Sequence, residues 1–307
     1  MKILITEFME VKCVEVLKIN FDVTVDHDLS ANSNELKKII SKFDALIVRN
    51  KTQVKKEVLE KATNLKFIGR LGVGLDNIDT DYCKSNNIYV QPATGMNADS
   101  VAEYVINTSL SLLKNLPLMH QETSIGNWPR TLISSRELKG KTIGLLGFGL
   151  IAKKVSILAK VFNAKIIAYD PFIDSSIGNK FDVKLLDIKE IFQLADIISI
   201  HLPLNVNTKN LLNYEVFKKM LKQPIIINSS RGSIINEEDL LRAYDEKLIT
   251  GFALDVYDNE PVQKTFLNSI KSNTNCILTP HIAGVTEESN TRVSEFIANS
   301  VKEFFKL

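Results

Sequence analysis

Four histidines, three cysteines and one tryptophan in 307 residues leave little material for metal or disulfide chemistry. Cys13, Cys83 and Cys276 lie far apart and form no C-x-x-C pair. The expectation is a reducing compartment and no metal site. No apolar run approaches the length of a membrane span. The amino terminus, MKILITEFME, has only three consecutive apolar residues, Ile3 to Ile5, too few for a signal peptide. A cytoplasmic protein without membrane contact is expected. An excess of one charge is also missing. Lys and Arg number 38 and Asp and Glu 36, a net charge of +2 with no basic block, which argues against a nucleic-acid partner. Low-complexity segments and short repeats are absent too.

What the chain does have is 45% hydrophobic and 24% charged residues, the balance of a soluble globular protein, and length for two domains. Short β-branched runs alternate with helical stretches. KILIT, FDVTV, DALIV, LKFIG and IYVQ read as strands, separated by amphipathic segments such as 34–42 and 54–62. A long helix is expected to begin at Ser100, where Ser100 and Glu103 spell a capping box. The turn-rich stretch 124–141 reads as a loop. A second series follows: KTIGLLG, AKIIAYD, ADIISIHLP, QPIIINSS, ITGFALDV and NCILTP. The last segment, 286–307, is helical and has no sheet of its own, so it should pack back on the first series. The pattern predicts an α/β protein with two doubly wound parallel sheets, the second domain inserted into the first. The expected boundaries are 1–97 with 285–307, and 98–284.

TIGLLGFGLIAKKV places Gly147, Gly149 and Ala152 as G-x-G-x-x-A between a strand and a helix. Gly147 allows a tight turn, Gly149 leaves room for a pyrophosphate, and Ala152 permits close helix–strand packing. The helix N-terminus offers N–H groups and a positive dipole end to phosphates. Asp170 ends the next strand, 21 residues beyond Gly149, where a carboxylate accepts both ribose hydroxyls. Read alone, Asp170 is an ordinary turn residue before Pro171. In this context the reading is NAD, since Asp170 repels the 2′-phosphate of NADP.

Three later strands end in unusual residues: Arg231 in NSSRGSIIN, Asp255 and Glu260 in LDVYDNEP, and His281 in TPHIAG. Singly each has a plain reading: a turn arginine, a loop glutamate, a histidine capping a carbonyl. Together at the carboxyl ends of strands, downstream of a dinucleotide turn, they form a reaction set. Arginine grips a carboxylate, histidine moves a proton near neutrality, and a neighbouring glutamate stabilises imidazolium.

LGVGLDNID, GLLGFGLIA, HLPL, NSSRGSIIN, LDVYDNEP and TPHIAG, in that order, make the whole chain resemble the D-isomer-specific 2-hydroxyacid dehydrogenases. The resemblance implies two Rossmann-like domains, the cofactor domain inserted into the substrate domain. It implies a homodimer through the cofactor domain, with the long helix and the Trp128 loop reaching the partner. It implies Arg231, Glu260 and His281 as catalytic residues. It implies cofactor contacts at Leu150, Ile151, Asp170, Leu202, Ser229, Ser230, Arg231, Asp255, His281, Ala283 and Gly284, beside the glycines Gly147 and Gly149. The N–H groups of Val73 and Gly74 would hold the substrate carboxylate. Leu150 stands where the family usually has arginine, so backbone N–H groups must hold the pyrophosphate.

Within the family, VRNKTQV and IGRLGVGLDNID are most similar to 3-phosphoglycerate dehydrogenases, whose place is the first step of serine biosynthesis. That likeness implies Arg49 and Arg70 at the substrate phosphate and Asn97 at the substrate. As plain sequence, each arginine is a solvated residue after a strand. The chain stops where many relatives continue into a serine-binding domain, so feedback through such a domain is not expected. Two alternatives stay open: a glyoxylate, hydroxypyruvate or D-lactate enzyme, and an NAD(H)-sensing corepressor that uses the fold as a scaffold.

Overall fold

The computed structural model describes residues 1–131, 135–271 and 274–306. In chain order the first elements are β1 (Lys2–Ile5), α1 (Val11–Lys18), β2 (Asp22–Val25), α2 (Ser33–Ile39), β3 (Ala45–Val48), α3 (Lys56–Leu59), β4 (Phe67–Arg70), α4 (Thr80–Ser85) and β5 (Tyr89–Pro92). Then come α5 (Ala98–Leu113), α6 (Leu116–Ser124), β6 (Thr142–Leu146), α7 (Leu150–Val161), β7 (Lys165–Tyr169), α8 (Ser175–Lys180), β8 (Lys184–Leu185) and α9 (Ile188–Leu194). The remainder is β9 (Ile197–Ile200), α10 (Tyr214–Phe217), β10 (Ile225–Asn228), α11 (Glu237–Asp245), β11 (Gly251–Leu254), α12 (Lys264–Ser269), β12 (Cys276–Leu278) and α13 (Glu287–Phe304).

The chain divides into two compact units, residues 1–97 with 285–307, and residues 98–284. The first holds a five-stranded sheet of order β2-β1-β3-β4-β5, every pairing parallel. Side chains alternate across it with a period of two. Ile3, Ile5 and Ile47 pack with Leu17 of α1 and Val293, Ile297 and Val301 of α13. Leu4, Leu46 and Val48 pack the other way, with Leu36, Ile40 and Val58. A parallel sheet covered on both faces needs such unbroken apolar strands. Helix α13 thus supplies one of the two layers, as its lack of a sheet of its own predicted. Leu307, at the end of the expected terminal helix, lies outside the described residues.

The second unit holds a seven-stranded parallel sheet of order β12-β11-β10-β9-β6-β7-β8. Ile143 and Leu145 of β6 pack with Val105 of α5 and Val155 of α7. Leu146 of β6 packs on the opposite face, with Ile191 of α9 and Leu240 of α11. In both sheets strand order reverses once, between β1 and β3 and between β6 and β9. Loops at the carboxyl ends of strands beside such a reversal form the ligand crevice of a doubly wound fold. Both sheets have the expected α/β, Rossmann-like class.

One local expectation is corrected, and two elements, α6 and β8, were not foreseen. Helix α5 begins at Ala98, so Ser100 and Glu103 are interior and Ser100 is buried rather than a cap. The apolar face extends further toward the N-terminus than the S-x-x-E signal suggested, and burial overrides it. The expected loop 124–141 is preceded by α6, whose last residue is Ser124, and residues 132–134 of that loop lie outside the described residues. Asn115 in the left-handed region (φ 52°) breaks the chain out of α5, and Pro117 restarts it at the first turn of α6, where its missing N–H costs nothing. Strand β8 is only two residues long and its pattern was too short to read.

Candidate active site

At the reversal point of the second sheet, β6 runs into the turn Gly147–Phe148–Gly149. Gly147 has φ 88°, and a Cβ there would lie 2.7 Å from the carbonyl oxygen of His201, just after β9. Only glycine gives both the conformation and the approach. A Cβ on Gly149 would meet nothing within 4 Å, so the space above the turn is open. Gly149 is also the N-cap of α7 and provides no side-chain cap, and no acidic residue lies in the first turn. The first N–H groups of α7 therefore face that space with their positive dipole end. Ala152 is fully buried against the sheet, Ile151 packs beside it, and Leu150 is exposed. Leu202 borders the turn, its Cδ2 3.2 Å from the position of a Gly147 Cβ.

Asp170, after β7, accepts from Phe148 N at 2.9 Å with one oxygen and from Phe172 N at 3.0 Å with the other. The carboxylate is thus part of the glycine turn, and each oxygen keeps a lone pair for a ribose hydroxyl. After β10, Ser229 has a buried hydroxyl without a hydrogen-bond partner among the described residues. Such an orphan group calls for a ligand. Open glycine turn, uncapped helix, acceptor carboxylate and orphan hydroxyl together fit an extended dinucleotide.

The loops after β10, β11 and β12 carry the charged set. His281 Nδ1 lies 2.7 Å from Glu260 Oε2. Glu260 Oε1 accepts from Tyr257 N at 3.3 Å. Burial works against ionising Glu260, but the His281 hydrogen bond and charge, the Tyr257 N–H and the Arg231 charge outweigh it and hold the carboxyl below its ordinary range. Because Glu260 occupies Nδ1, Nε2 is the ring atom left to exchange a proton.

His281 sits in the left-handed region, φ 58°, which disfavours a residue with a Cβ. The buried carboxylate of Asp255 holds it there. Oδ1 accepts from Thr279 Oγ1 at 2.6 Å and Ile282 N at 2.7 Å, and Oδ2 from Ala283 N at 2.8 Å. These bonds fall on both sides of His281, so the turn wraps Asp255 and the ring is presented outward. Thr279 Oγ1 is also 2.7 Å from the Tyr104 hydroxyl, whose pKa burial pushes up to about 12. Thr279 and Tyr104 were not singled out from sequence, because a threonine before proline and a tyrosine in an apolar helix carry no signal alone.

Arg231 is fixed through its own loop. Asn228 Nδ2 donates to the Arg231 carbonyl at 2.8 Å, and Arg231 Nη1 donates to the Ser230 carbonyl at 2.6 Å. Ser230 N and Oγ bond Asn228 Oδ1 at 3.0 and 2.9 Å. Gly232 is the missed residue here. A Cβ on it would fall 1.9 Å from the Tyr257 carbonyl carbon, so the Arg231 loop lies against the loop that carries Glu260.

In the first unit the candidates lie at or beyond the carboxyl ends of β3, β4 and β5. Arg49 follows β3 and Arg70 ends β4. The Arg70 guanidinium folds over the next turn, Nη1 lying 1.5 Å from where a Gly72 Cβ would be. The N–H groups of Val73 and Gly74, in that turn, make no hydrogen bond among the described residues. Asn97 has a buried Oδ1 without a hydrogen-bond partner among them. No cluster of three or more His, Cys, Asp or Glu residues is placed for a metal ion among the described residues, and no helix there is long and apolar enough to cross a membrane.

Residues 106–283 match the family model for the D-isomer specific 2-hydroxyacid dehydrogenase, NAD binding domain. The chain is 36% identical to the (S)-sulfolactate dehydrogenase of Chromohalobacter salexigens, covering 98% of this chain and 97% of that one. It is 35% identical to the D-3-phosphoglycerate dehydrogenase of Methanocaldococcus jannaschii over 99% of its own length, but spans only 57% of that relative. Among solved structures it superposes on the D-lactate dehydrogenase from Aquifex aeolicus complexed with NAD and lactic acid, with TM-score 0.88, 26% identity and coverage of 100% and 96%. The chain belongs to the D-isomer specific 2-hydroxyacid dehydrogenase family, and its cofactor is NAD.

Proposed function

We propose that the chain interconverts a D-2-hydroxy acid and its 2-oxo acid, with 3-phosphoglycerate and 3-phosphohydroxypyruvate as the substrate pair. The observation that carries the acid/base part is the 2.7 Å contact between His281 Nδ1 and Glu260 Oε2. When bound, NAD supplies the hydride acceptor for oxidation and, reduced, the donor for reduction. His281 Nε2 takes the hydroxyl proton during oxidation and returns it to the carbonyl oxygen during reduction. Glu260 stabilises the imidazolium. Arg231 grips the substrate carboxylate and polarises the carbonyl oxygen. Val73 and Gly74 offer N–H groups to a substrate carboxylate, Asn97 is a further substrate contact, and Arg49 and Arg70 receive the phosphate. The test is His281→Ala. Turnover should fall by about 10²–10⁴ while NADH binding, followed by nicotinamide fluorescence, is retained. Near-normal turnover would return His281 to a structural role.

The division of labour follows: residues 98–284 are the NAD domain, with cofactor contacts at the glycine turn, Leu150, Ile151, Asp170, Leu202, Ser229, Ser230, Asp255, Ala283 and Gly284. Residues 1–97 with 285–307 form the substrate domain. A second substrate reading has one observation in its favour, the near full-length match to a sulfolactate dehydrogenase. Sulfonate and phosphate are both tetrahedral oxyanions at the far end of a three-carbon acid. The proposal also includes a cytoplasmic homodimer joined through the NAD domain. Leu116, Ile125 and Trp128 of that unit are exposed, Trp128 to 79%. Exposed large apolar groups of this kind suit a partner surface.

A further inference from the structure

The first unit has its own reversal of strand order, between β1 and β3, the kind of place where doubly wound sheets hold ligands. Two loops meet there, residues 6–8 after β1 and residues 49–52 after β3. They are tied together by one buried carboxylate. Glu7 is 6% exposed, and its Oε1 accepts from Arg49 N at 2.8 Å and Thr52 N at 2.9 Å, while Oε2 accepts from Lys51 N at 3.1 Å. Thr6 and Thr52 hydroxyls bond each other at 2.8 Å, and Asn77 Nδ2 donates to the carbonyls of Arg49 at 2.9 Å and Thr52 at 2.8 Å. The backbone that carries Arg49 is therefore fixed on three sides.

The guanidinium is held as firmly. Its Nη2 donates to Asn290 Oδ1, on the first turns of α13, at 2.8 Å, and its carbon lies 5.8 Å from the centre of the Phe8 ring. Its partner in that hydrogen bond is neutral. Among the described residues no carboxylate oxygen lies within 4.0 Å of it. Burial lowers the Arg49 pKa, against the opposing charges of Glu7 and Glu10. A guanidinium has five N–H donors, and Asn290 uses one of them. The result is a partly desolvated, pre-oriented cation whose charge is balanced by no ion pair, at the ligand end of a parallel sheet. Asparagine is what keeps it so. A carboxylate at position 290 would close the ion pair and cancel the charge.

We propose that Asn290 is a specificity-determining positioning residue: it orients Arg49 through a neutral acceptor, without closing an ion pair on the guanidinium, so that the enzyme selects substrates bearing a tetrahedral oxyanion at the end remote from the reacting carbon. This rests on the substrate reading above and extends it to a residue that does not touch the substrate. The two sources of such an oxyanion are a phosphate ester and a sulfonate.

The experiment compares wild type, Asn290→Asp and Asn290→Ala as full-length enzymes in NADH-dependent reduction of three 2-oxo acids: 3-phosphohydroxypyruvate, 3-sulfopyruvate and hydroxypyruvate. For Asn290→Asp, kcat/KM for the preferred oxyanion substrate relative to hydroxypyruvate should fall about tenfold or more, as expected for loss of one charge-assisted contact, and the loss should appear as a rise in KM with kcat little changed. Asn290→Ala, which removes the bond without adding charge, should move the ratio the same way by less, and it serves if the aspartate variant does not fold. The favoured arm in wild type identifies the oxyanion. An unchanged ratio, both substrate classes losing in proportion, overturns the inference and leaves the substrate reading standing. Wild type preferring hydroxypyruvate overturns both.

Discussion

Asp170 has one observed purpose, holding the glycine turn, and one proposed, binding the cofactor ribose. Its oxygens hold Phe148 N and Phe172 N and still have capacity for ribose hydroxyls. Asp170→Ala would loosen the glycine turn as well as remove repulsion against NADP. Asp170→Asn keeps an acceptor for Phe148 N and removes the charge, so it should narrow the NAD over NADP preference with the smaller loss of NAD turnover. Equal losses in both variants would mean that the turn, not the charge, sets the preference. Glu260 makes a pH prediction. If His281 is the acid/base as proposed, imidazolium is the proton donor in the reductive direction, and activity falls as pH rises. Glu260→Gln removes the anion that stabilises imidazolium, and the falling limb of the pH–rate profile should move to lower pH. An unmoved limb would separate Glu260 from proton transfer. At this scale the sequence was informative: arginine, glutamate and histidine at strand ends stood out because such residues are rare there. What it did not carry was the support beneath them. The wrapping of the 279–283 turn around Asp255, and the contact of Gly232 with Tyr257, arise only when separate strands are laid side by side.

Elements were legible where a pattern was long and continuous. The twelve strands of the described residues include eleven that hydrophobic runs marked, because a parallel sheet buried on both faces demands such runs. Two-residue β8 gave no run to see. The start of α5 was misplaced because a capping signal is a local preference, and burial of the helix face decides the boundary. The gap between α5 and α6 was missed because Asn115 and Pro117 act through backbone conformation rather than polarity. Two predictions belong here. Gly232→Ala should drive a Cβ into the Tyr257 backbone, separating the Arg231 and Glu260 loops. Turnover should fall with a stability loss of about 1–3 kcal/mol, read from urea midpoints. Unaltered kinetics and midpoint would show that the loops need no close approach. The other concerns His201, at the end of β9, whose ring nitrogen is 3.0 Å from Ser199 Oγ. Burial lowers its pKa from 6.5 to about 4. The native ring is neutral where the unfolded one takes a proton, so its contribution to stability is complete above 6.5 and is lost as pH falls toward 4. His201→Gln should flatten that part of the stability–pH curve. A wild-type curve no steeper than the variant's would contradict the burial argument.

The whole molecule is two parallel-sheet units, one continuous in sequence and one built from both ends of the chain. The missing sheet partner of the last helix made that arrangement readable, since an amphipathic helix must cover something. In the proposed reading the second unit supplies the proton-transfer and cofactor groups and the first the anion-binding groups. On that reading the choice of substrate depends on the first. If Arg49 and Arg70 serve an anionic far end, the preference must appear in the rates themselves. The most direct measurement is kcat/KM for NADH-dependent reduction of 3-phosphohydroxypyruvate and hydroxypyruvate by the wild-type enzyme at one pH and ionic strength. The account predicts that 3-phosphohydroxypyruvate is favoured by about tenfold or more. Equal values, or a preference for hydroxypyruvate, would contradict it.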